Sequence, residues 1–158
     1  MNKINKSYSI GVDIGGTKIS DVLFDGQKVI ADYVLATPKD SLEHFLIMLK
    51  ALIEPLQDKA KANGAVIKGV GIGIPGMLDY KENKAVEVPN LPFLNDLKLI
   101  DIFTPKLGVE QIKIDNDGHC FLRAEMKFGA GKKYNNVFSI TIGTGFGGGW
   151  WHNGEIYN

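Results

Sequence analysis

Residues 7–24 read SYSIGVDIGGTKISDVLF, and the passage from one β-rich run to another across two glycines decides how the chain must fold. Ser7 to Ile14 is rich in β-branched residues and predicts a strand, Gly15-Gly16 a turn, and Ile19 to Phe24 a second strand. The stretch Gly11 to Lys18 nearly spells the phosphate-binding pattern G-x-x-x-x-G-K-[ST], but Thr17 precedes Lys18. That pattern needs a helix behind its glycines, whose N-terminal amides hold the phosphates; here a strand follows. What remains is a hairpin tip with two glycines that allow close backbone approach, a hydroxyl at Thr17, and the Asp13 carboxylate near the end of a buried strand. Phosphate oxygens and a magnesium shell suit such a group, because Mg²⁺ takes one or two carboxylates and keeps several waters. A plain hairpin turn is the alternative at this point.

Working outward, Lys28 to Leu35 predicts a third strand, with Asp25-Gly26 as the hairpin turn before it. Asp40-Ser-Leu-Glu43 resembles a capping box, and Leu42, Phe45, Leu46, Leu49, Ile53 and Leu56 recur at helical spacing. Pro55 is expected to kink or end that helix, since it lacks the donor the ladder needs. A buried strand over Ile67–Ile74, a mostly irregular stretch over 83–95, a short helix over Asp96–Phe103 and a strand over Val109–Ile114 follow. Asp117–Phe128 predicts a helix, Asn136–Ile142 a strand, and Trp150–Ile156 a strand-like stretch turning at Asn153-Gly154. The order βββαβαβα predicts an α/β domain with a mixed sheet opened by three antiparallel strands, over residues 1–130. Residues 131–158 then read as the first β-hairpin of a second domain too short to close its own core.

Composition narrows the partners. A chain of 158 residues with 44% hydrophobic and 23% charged residues is ordinarily globular, which argues against disorder, collagen and coiled coil. Such a length supports one core burying roughly 70% of the unfolded surface. Lys plus Arg and Asp plus Glu both number 18, so no basic field exists to release counterions, and nucleic acid is not expected as a partner. No apolar run approaches the roughly 20 residues a bilayer needs, and no signal-peptide core follows Lys3 and Lys6; no membrane association is expected. Cys120 is the single cysteine, which fits a reducing compartment and no Cys-rich zinc site within this chain. The expectation is a cytoplasmic protein.

Two further glycine clusters bear on ligands. Gly71-Ile-Gly-Ile-Pro-Gly76 matches the dinucleotide pattern G-x-G-x-x-G letter for letter. Its context fails, because a polar loop rather than a helix follows and Pro75 deletes an amide donor. Gly143-Thr-Gly-Phe-Gly-Gly-Gly149 repeats the pattern, again before a strand-like stretch. Two glycine-rich hairpins carrying Thr17 and Thr144 suggest two lobes gripping a nucleotide's phosphates with backbone amides and hydroxyls.

Asp115-Asn116-Asp117 closes a strand and begins a helix. A carboxylate there either caps exposed amides or, at a strand end where α/β sheets bind ligands, takes the proton of an attacking hydroxyl. The histidines compete poorly: His44 reads as surface, His152 has no nameable partner, and His119 is expected to point away from Asp117 on the helix. Cys120 reads as a buried helix residue, and Lys59, Lys61, Lys132 and Lys133 as solvated.

These pieces resemble the ROK sugar kinases (repressor, open reading frame, kinase) of the ribonuclease H-like, actin/hexokinase-type ATPase fold. The matching motifs are DIGGTK at 13–18, GIGIPG at 71–76, DNDGHCF at 115–121 with Ala124-Glu125, FGAGK at 128–132 and GTGFGGG at 143–149. The resemblance implies an ATP-dependent kinase of a hexose or N-acetylhexosamine, with residues 1–130 as its N-terminal lobe and 131–158 as the opening of an incomplete C-terminal lobe. It implies Asp117 as the base, with Asn116, Gly76 and Asn90 on the sugar. Asp13, Gly15, Gly16, Thr17, Lys18, Gly143, Thr144 and Gly145 would serve Mg-ATP, with Asp13 meeting Mg²⁺ through water. A homodimer of the full-length protein is also implied. Gly118-His119 stands where many members have Ala-Asn, and DNDGHC is similar to the segment in bacterial N-acetylglucosamine kinases, which leans toward an amino sugar. Competing expectations are a sugar-sensing module of the repressor branch, for which the six residues before the first strand leave no room for a helix-turn-helix, and an inert lobe that associates through exposed Trp150-Trp151.

Overall fold

The structure, a computed structural model, describes residues 6–143 and 145–157. Strands β1 (Lys6–Ile14), β2 (Lys18–Phe24) and β3 (Val29–Ala36) form the antiparallel meander expected from the hairpin dipeptides. At the second turn the Asp25 carboxylate accepts the amides of Gln27 and Lys28, both at 2.8 Å, and Gly26 takes φ +97°. Helix α1 (Leu42–Ala62) crosses to β4 (Ala65–Ile74), which pairs parallel with β1. A small hairpin, β5 (Met77–Asp79) and β6 (Lys84–Glu87), precedes α2 (Leu99–Leu107). Strand β7 (Ile112–Asn116) pairs parallel with β4 and leads directly into α3 (Asp117–Phe128). The five-stranded sheet has the order β3-β2-β1-β4-β7. A separate antiparallel sheet orders β10 (Glu155–Tyr157), β9 (Phe146–His152) and β8 (Asn136–Ile142).

The core follows from alternation along the parallel strands. Val70, Ile72 and Ile74 of β4 are buried in one cluster with Phe45, Leu49, Ile53 and Leu56 of α1 and Phe103 of α2. The opposite face meets α3: a methyl on Gly73 would lie in ordinary contact, 3.5 Å, with Asp117 Cα and Cys120 Sγ, so the start of that helix packs directly over the strand. Among the described residues, no helix is long and apolar enough to cross a membrane.

Several boundaries differ from the sequence-based expectation. Pro55 neither ends nor breaks α1, which continues to Ala62; both Pro55 and Ala51, whose carbonyl loses its donor, are exposed, so the unmade bond lies on the solvent face of the helix rather than in the core. The N-cap is Ser41, accepting the His44 amide, while Asp40 instead meets His44 Nδ1 at 2.8 Å. Residues 83–95 are not simply loop, because β6 lies within them. Helix α2 starts at Leu99 rather than Asp96: Asp96 is left-handed at φ +64° and donates its amide to Ala85, which fastens this segment to β6. Strand β7 begins at Ile112, since left-handed Gly108 caps α2 and the chain must turn first. Strand β9 begins at Phe146, earlier than Trp150, because its three glycines pair with β8.

Asp21 departs from the pattern of an apolar face. It is 1% exposed, between the core positions Ile19 and Leu23; its Oδ1 accepts the Tyr33 amide, and Oδ2 has no partner among the described residues. Burial pushes its carboxyl up to about 6, the Tyr33 amide pulling down and the Asp32 charge pushing further up. A pKa raised on folding stabilises the fold below the unfolded value near 3.9, and that contribution is lost as pH rises through about 6. Asp21→Asn is therefore expected to raise the unfolding free energy at pH 7 by about 2–3 kcal/mol and by well under about 1 kcal/mol at pH 4. Urea melts at the two pH values check this; an equal effect at both would contradict it.

Candidate functional site

Strands β1, β4 and β7 run parallel, so their C-terminal ends reach one edge of the sheet, where α/β folds bind ligands. Register sets the pieces side by side: Asp13 pairs with Gly73, and Gly73 with Asp115. Beyond these pairs lie the Gly15-Gly16 turn, the Pro75-Gly76 turn and the start of α3, all lining one cavity of about 700 Å³.

Each turn is held by identifiable bonds. The Gly15 amide donates to the Lys18 carbonyl at 2.9 Å, and the Thr37 hydroxyl donates to the Gly15 carbonyl at 2.7 Å. A side chain on Gly16 would strike Asn90, so Asn90 rests directly on the first glycine turn. Gly76 has φ +100°, and a Cβ there would run into the Glu87 carbonyl oxygen. The Gly76 carbonyl accepts Asn116 Nδ2 at 3.0 Å, while Asn116 Oδ1 caps α3 by accepting the amides of Gly118 and His119 at 2.9 and 3.3 Å. Asn116, not Asp117, is thus the N-cap. Asp117 Oδ1 accepts the Gly118 amide at 2.8 Å, leaving Oδ2 without a partner among the described residues.

Of the residues singled out in the sequence, Gly15, Gly16, Gly76, Asn90, Asn116, Asp117, Gly143 and Gly145 line the cavity. Asp13, Thr17 and Lys18 stand outside its lining, and Thr144 lies outside the described residues. Asp13 reaches solvent, yet the protein around it and then the Asp117 charge push its carboxyl up, with Lys18 pulling it back. A divalent cation fits such a pair, because it would relieve the repulsion between the two carboxylates. Among the described residues no three His, Cys, Asp or Glu side chains converge as a metal site, so an ion here would draw its other ligands from phosphate and water.

A network that the sequence reading missed borders the same cavity. Asp115 Oδ1 accepts the Tyr80 hydroxyl at 2.9 Å and the Asn116 amide at 2.8 Å, and Oδ2 accepts Arg123 Nε at 2.9 Å. His119 Nδ1 lies 3.2 Å from Asp115 Oδ1 and 3.1 Å from the Tyr80 hydroxyl. Burial alone would push the Asp115 carboxyl up, but the bonds from Arg123, Tyr80 and Asn116 together with the Arg123 charge hold it below the usual range. Burial and then the Asp115 bond and charge push the Tyr80 phenol up to about 12, so it stays a donor. Both Tyr80 and His119 line the cavity. The i,i+4 spacing of His119 and Arg123 on α3 was the available signal, since it puts both on one helix face.

The second sheet closes the cavity from across. Gly143, Gly145, Gly147 and Gly148 line it, and a methyl on Gly118 would lie 3.6 Å from the Gly148 amide, so backbone meets backbone. Ile142 and Phe146, 83% and 76% exposed, border the cavity too, while Phe138 and Ile140 of β8, 70% and 51% exposed, leave an apolar stretch of the strand open.

Comparison with known proteins adds the following. A family model described as ROK family matches residues 9–158. An N-acetyl-D-glucosamine kinase of Mannheimia succiniciproducens is 33% identical over 150 residues, covering 94% of this chain and 47% of that protein. An N-acetylgalactosamine kinase of a Shewanella species is 34% identical over 148 residues, covering 93% and 46%. A ROK family glucokinase from Streptomyces griseus, solved with glucose and AMPPNP, superposes with a TM-score of 0.84 at 30% identity, covering 95% of this chain and 46% of that one. The chain spans about half the length of the curated relatives it matches.

Proposed function

This chain belongs to the ROK family, with the actin/hexokinase-like fold of its sugar kinases, and from that premise we propose that it supplies the N-terminal half of an ATP-dependent kinase acting on a hexose or N-acetylhexosamine. Residues 1–130 form the first lobe in this reading, and β8–β10 open the second. The observation that carries it is the convergence of Asp117, with Oδ2 free, and the glycine turns of β1 and of the β8–β9 hairpin on one cavity. The relatives' names favour an amino sugar or glucose as acceptor.

In this mechanism the acceptor hydroxyl lies beside Asp117, which removes its proton as the sugar oxygen bonds to the γ-phosphorus and the bond from that phosphorus to ADP breaks. Asn116 holds the Gly76 turn against α3, so both present fixed groups to the sugar. Asn90, resting on Gly16, joins the sugar side to the phosphate side. The Gly15 and Gly143 amides are taken by the Lys18 and Gly145 carbonyls, so the Gly16 and Gly145 amides are the ones assigned to the phosphates, with Thr17, Lys18 and Thr144 assigned beside them. Mg²⁺, held through water by Asp13, would neutralise charge on the transferring group.

Release of ADP from Mg-ATP over a panel of hexoses and N-acetylhexosamines tests this, on the chain alone and on the chain extended by the second half of a full-length relative. Turnover by the extended form that depends on one sugar class is expected, with far less from the chain alone. Sugar-independent ATP hydrolysis would overturn the reading.

A further inference from the structure

Resting on that sugar-kinase reading, we propose that His119 contacts the acceptor sugar directly, with Nε2 as a hydrogen-bond acceptor whose orientation is set by Asp115 and Tyr80. The tautomer follows from the partners. Every other group on the Asp115 carboxylate is a donor: the Tyr80 hydroxyl, the Asn116 amide and Arg123 Nε. The Tyr80 hydroxyl hydrogen is already directed to Asp115, so toward His119 that oxygen can only accept. Nδ1 therefore carries the hydrogen, and in the neutral ring Nε2 is left with a lone pair and no hydrogen.

The ring cannot turn away from this arrangement. It stacks on Tyr80 with planes 13° apart and centroids 6.3 Å apart. On another side it lies against β9, where a methyl on Gly149 would come within 3.2 Å of Cδ2. Nε2 makes no hydrogen bond among the described residues and is not sealed from solvent, and the His119 side chain that carries it lines the cavity. An orientation fixed by a carboxylate, an aromatic face and a glycine strand is the support a recognition group needs. A pure acceptor on the sugar side selects an O–H or N–H donor, which both a hydroxyl and an acylamino group supply.

The test is titration of the chain with N-acetylglucosamine, glucose and their monodeoxy analogues, followed by calorimetry, for the unaltered protein, His119→Phe and His119→Gln. With His119→Phe, sugar affinity is expected to fall about tenfold, the loss of one hydrogen bond, while Mg-ATP affinity stays constant. His119→Gln, whose amide oxygen can still accept, is expected to recover part of the loss. One deoxy analogue should bind the unaltered chain and His119→Phe equally, and whether that analogue lacks a hydroxyl or the acylamino group identifies the donor. Equal sugar affinity in all three proteins would reduce the network to a tie between the β5–β6 hairpin and α3, overturning this inference and leaving the kinase reading intact. No sugar binding by the unaltered chain would overturn this inference for the chain, and the kinase reading would then stand or fall on turnover by the extended form.

Discussion

Asp117→Asn is expected to slow phosphoryl transfer by about 10²- to 10⁴-fold in the form of the protein that turns over, with sugar binding and melting temperature close to unchanged. The asymmetry follows from how the carboxylate is used. Oδ1 accepts the Gly118 amide, a duty the Asn carbonyl oxygen keeps, and Asn116 caps the helix independently. Oδ2 is the group left for a substrate proton, and an amide in its place has no basic lone pair. Single-turnover rates and thermal melts of the two proteins check the prediction. A variant retaining its rate would mean that the acceptor hydroxyl loses its proton elsewhere.

Gly76→Ala is expected to cost about 3 kcal/mol or more, adding the penalty of positive φ to a steric collision. The left-handed backbone and the Glu87 carbonyl oxygen in the space of a Cβ leave the chain no small adjustment. Moving the turn also carries the Gly76 carbonyl away from Asn116 Nδ2, so sugar affinity should fall along with the denaturation midpoint. Gly71→Ala is the control: it lies in β4, the strand that leads into this turn, and a methyl there meets nothing within 4 Å. Its midpoint should shift by no more than about 0.5 kcal/mol equivalent. Similar midpoints for the two variants would show that the turn tolerates repacking.

The meander, both long helices and the glycine turns were legible because each announces itself locally, through alternation, helical spacing or a dipeptide such as Asp25-Gly26. Misplaced boundaries share one cause, which is that distant partners override local preference. Asp96 belongs to the edge of β6 because its amide reaches Ala85, and nothing in residues 96–103 records that. The β5–β6 hairpin has strands of three and four residues, too short for alternation to accumulate. At the site, Asp117 stood out because a motif carried it, whereas Tyr80 is distant in sequence from the Asp115 it bonds. His119 was discounted by helical geometry relative to Asp117, yet its partner Asp115 sits in β7, before the helix begins, where that geometry does not apply.

The parallel pairing of β1 with β4 and of β4 with β7 also dictates when a binding site first exists during folding. The β1–β2–β3 meander closes through short turns and can form early, completing the Gly15-Gly16 tip on its own. Gly11 must then find Gly71, and Gly73 must find Asp115, and such sequence-distant closures come late because chain entropy is lost before contacts compensate. A nascent chain therefore holds a finished Gly15-Gly16 turn for a time without the Asp117 carboxylate opposite it. Ligand can stabilise only the last species on the pathway, so sugar should slow unfolding of the native chain while leaving the early meander's formation rate untouched.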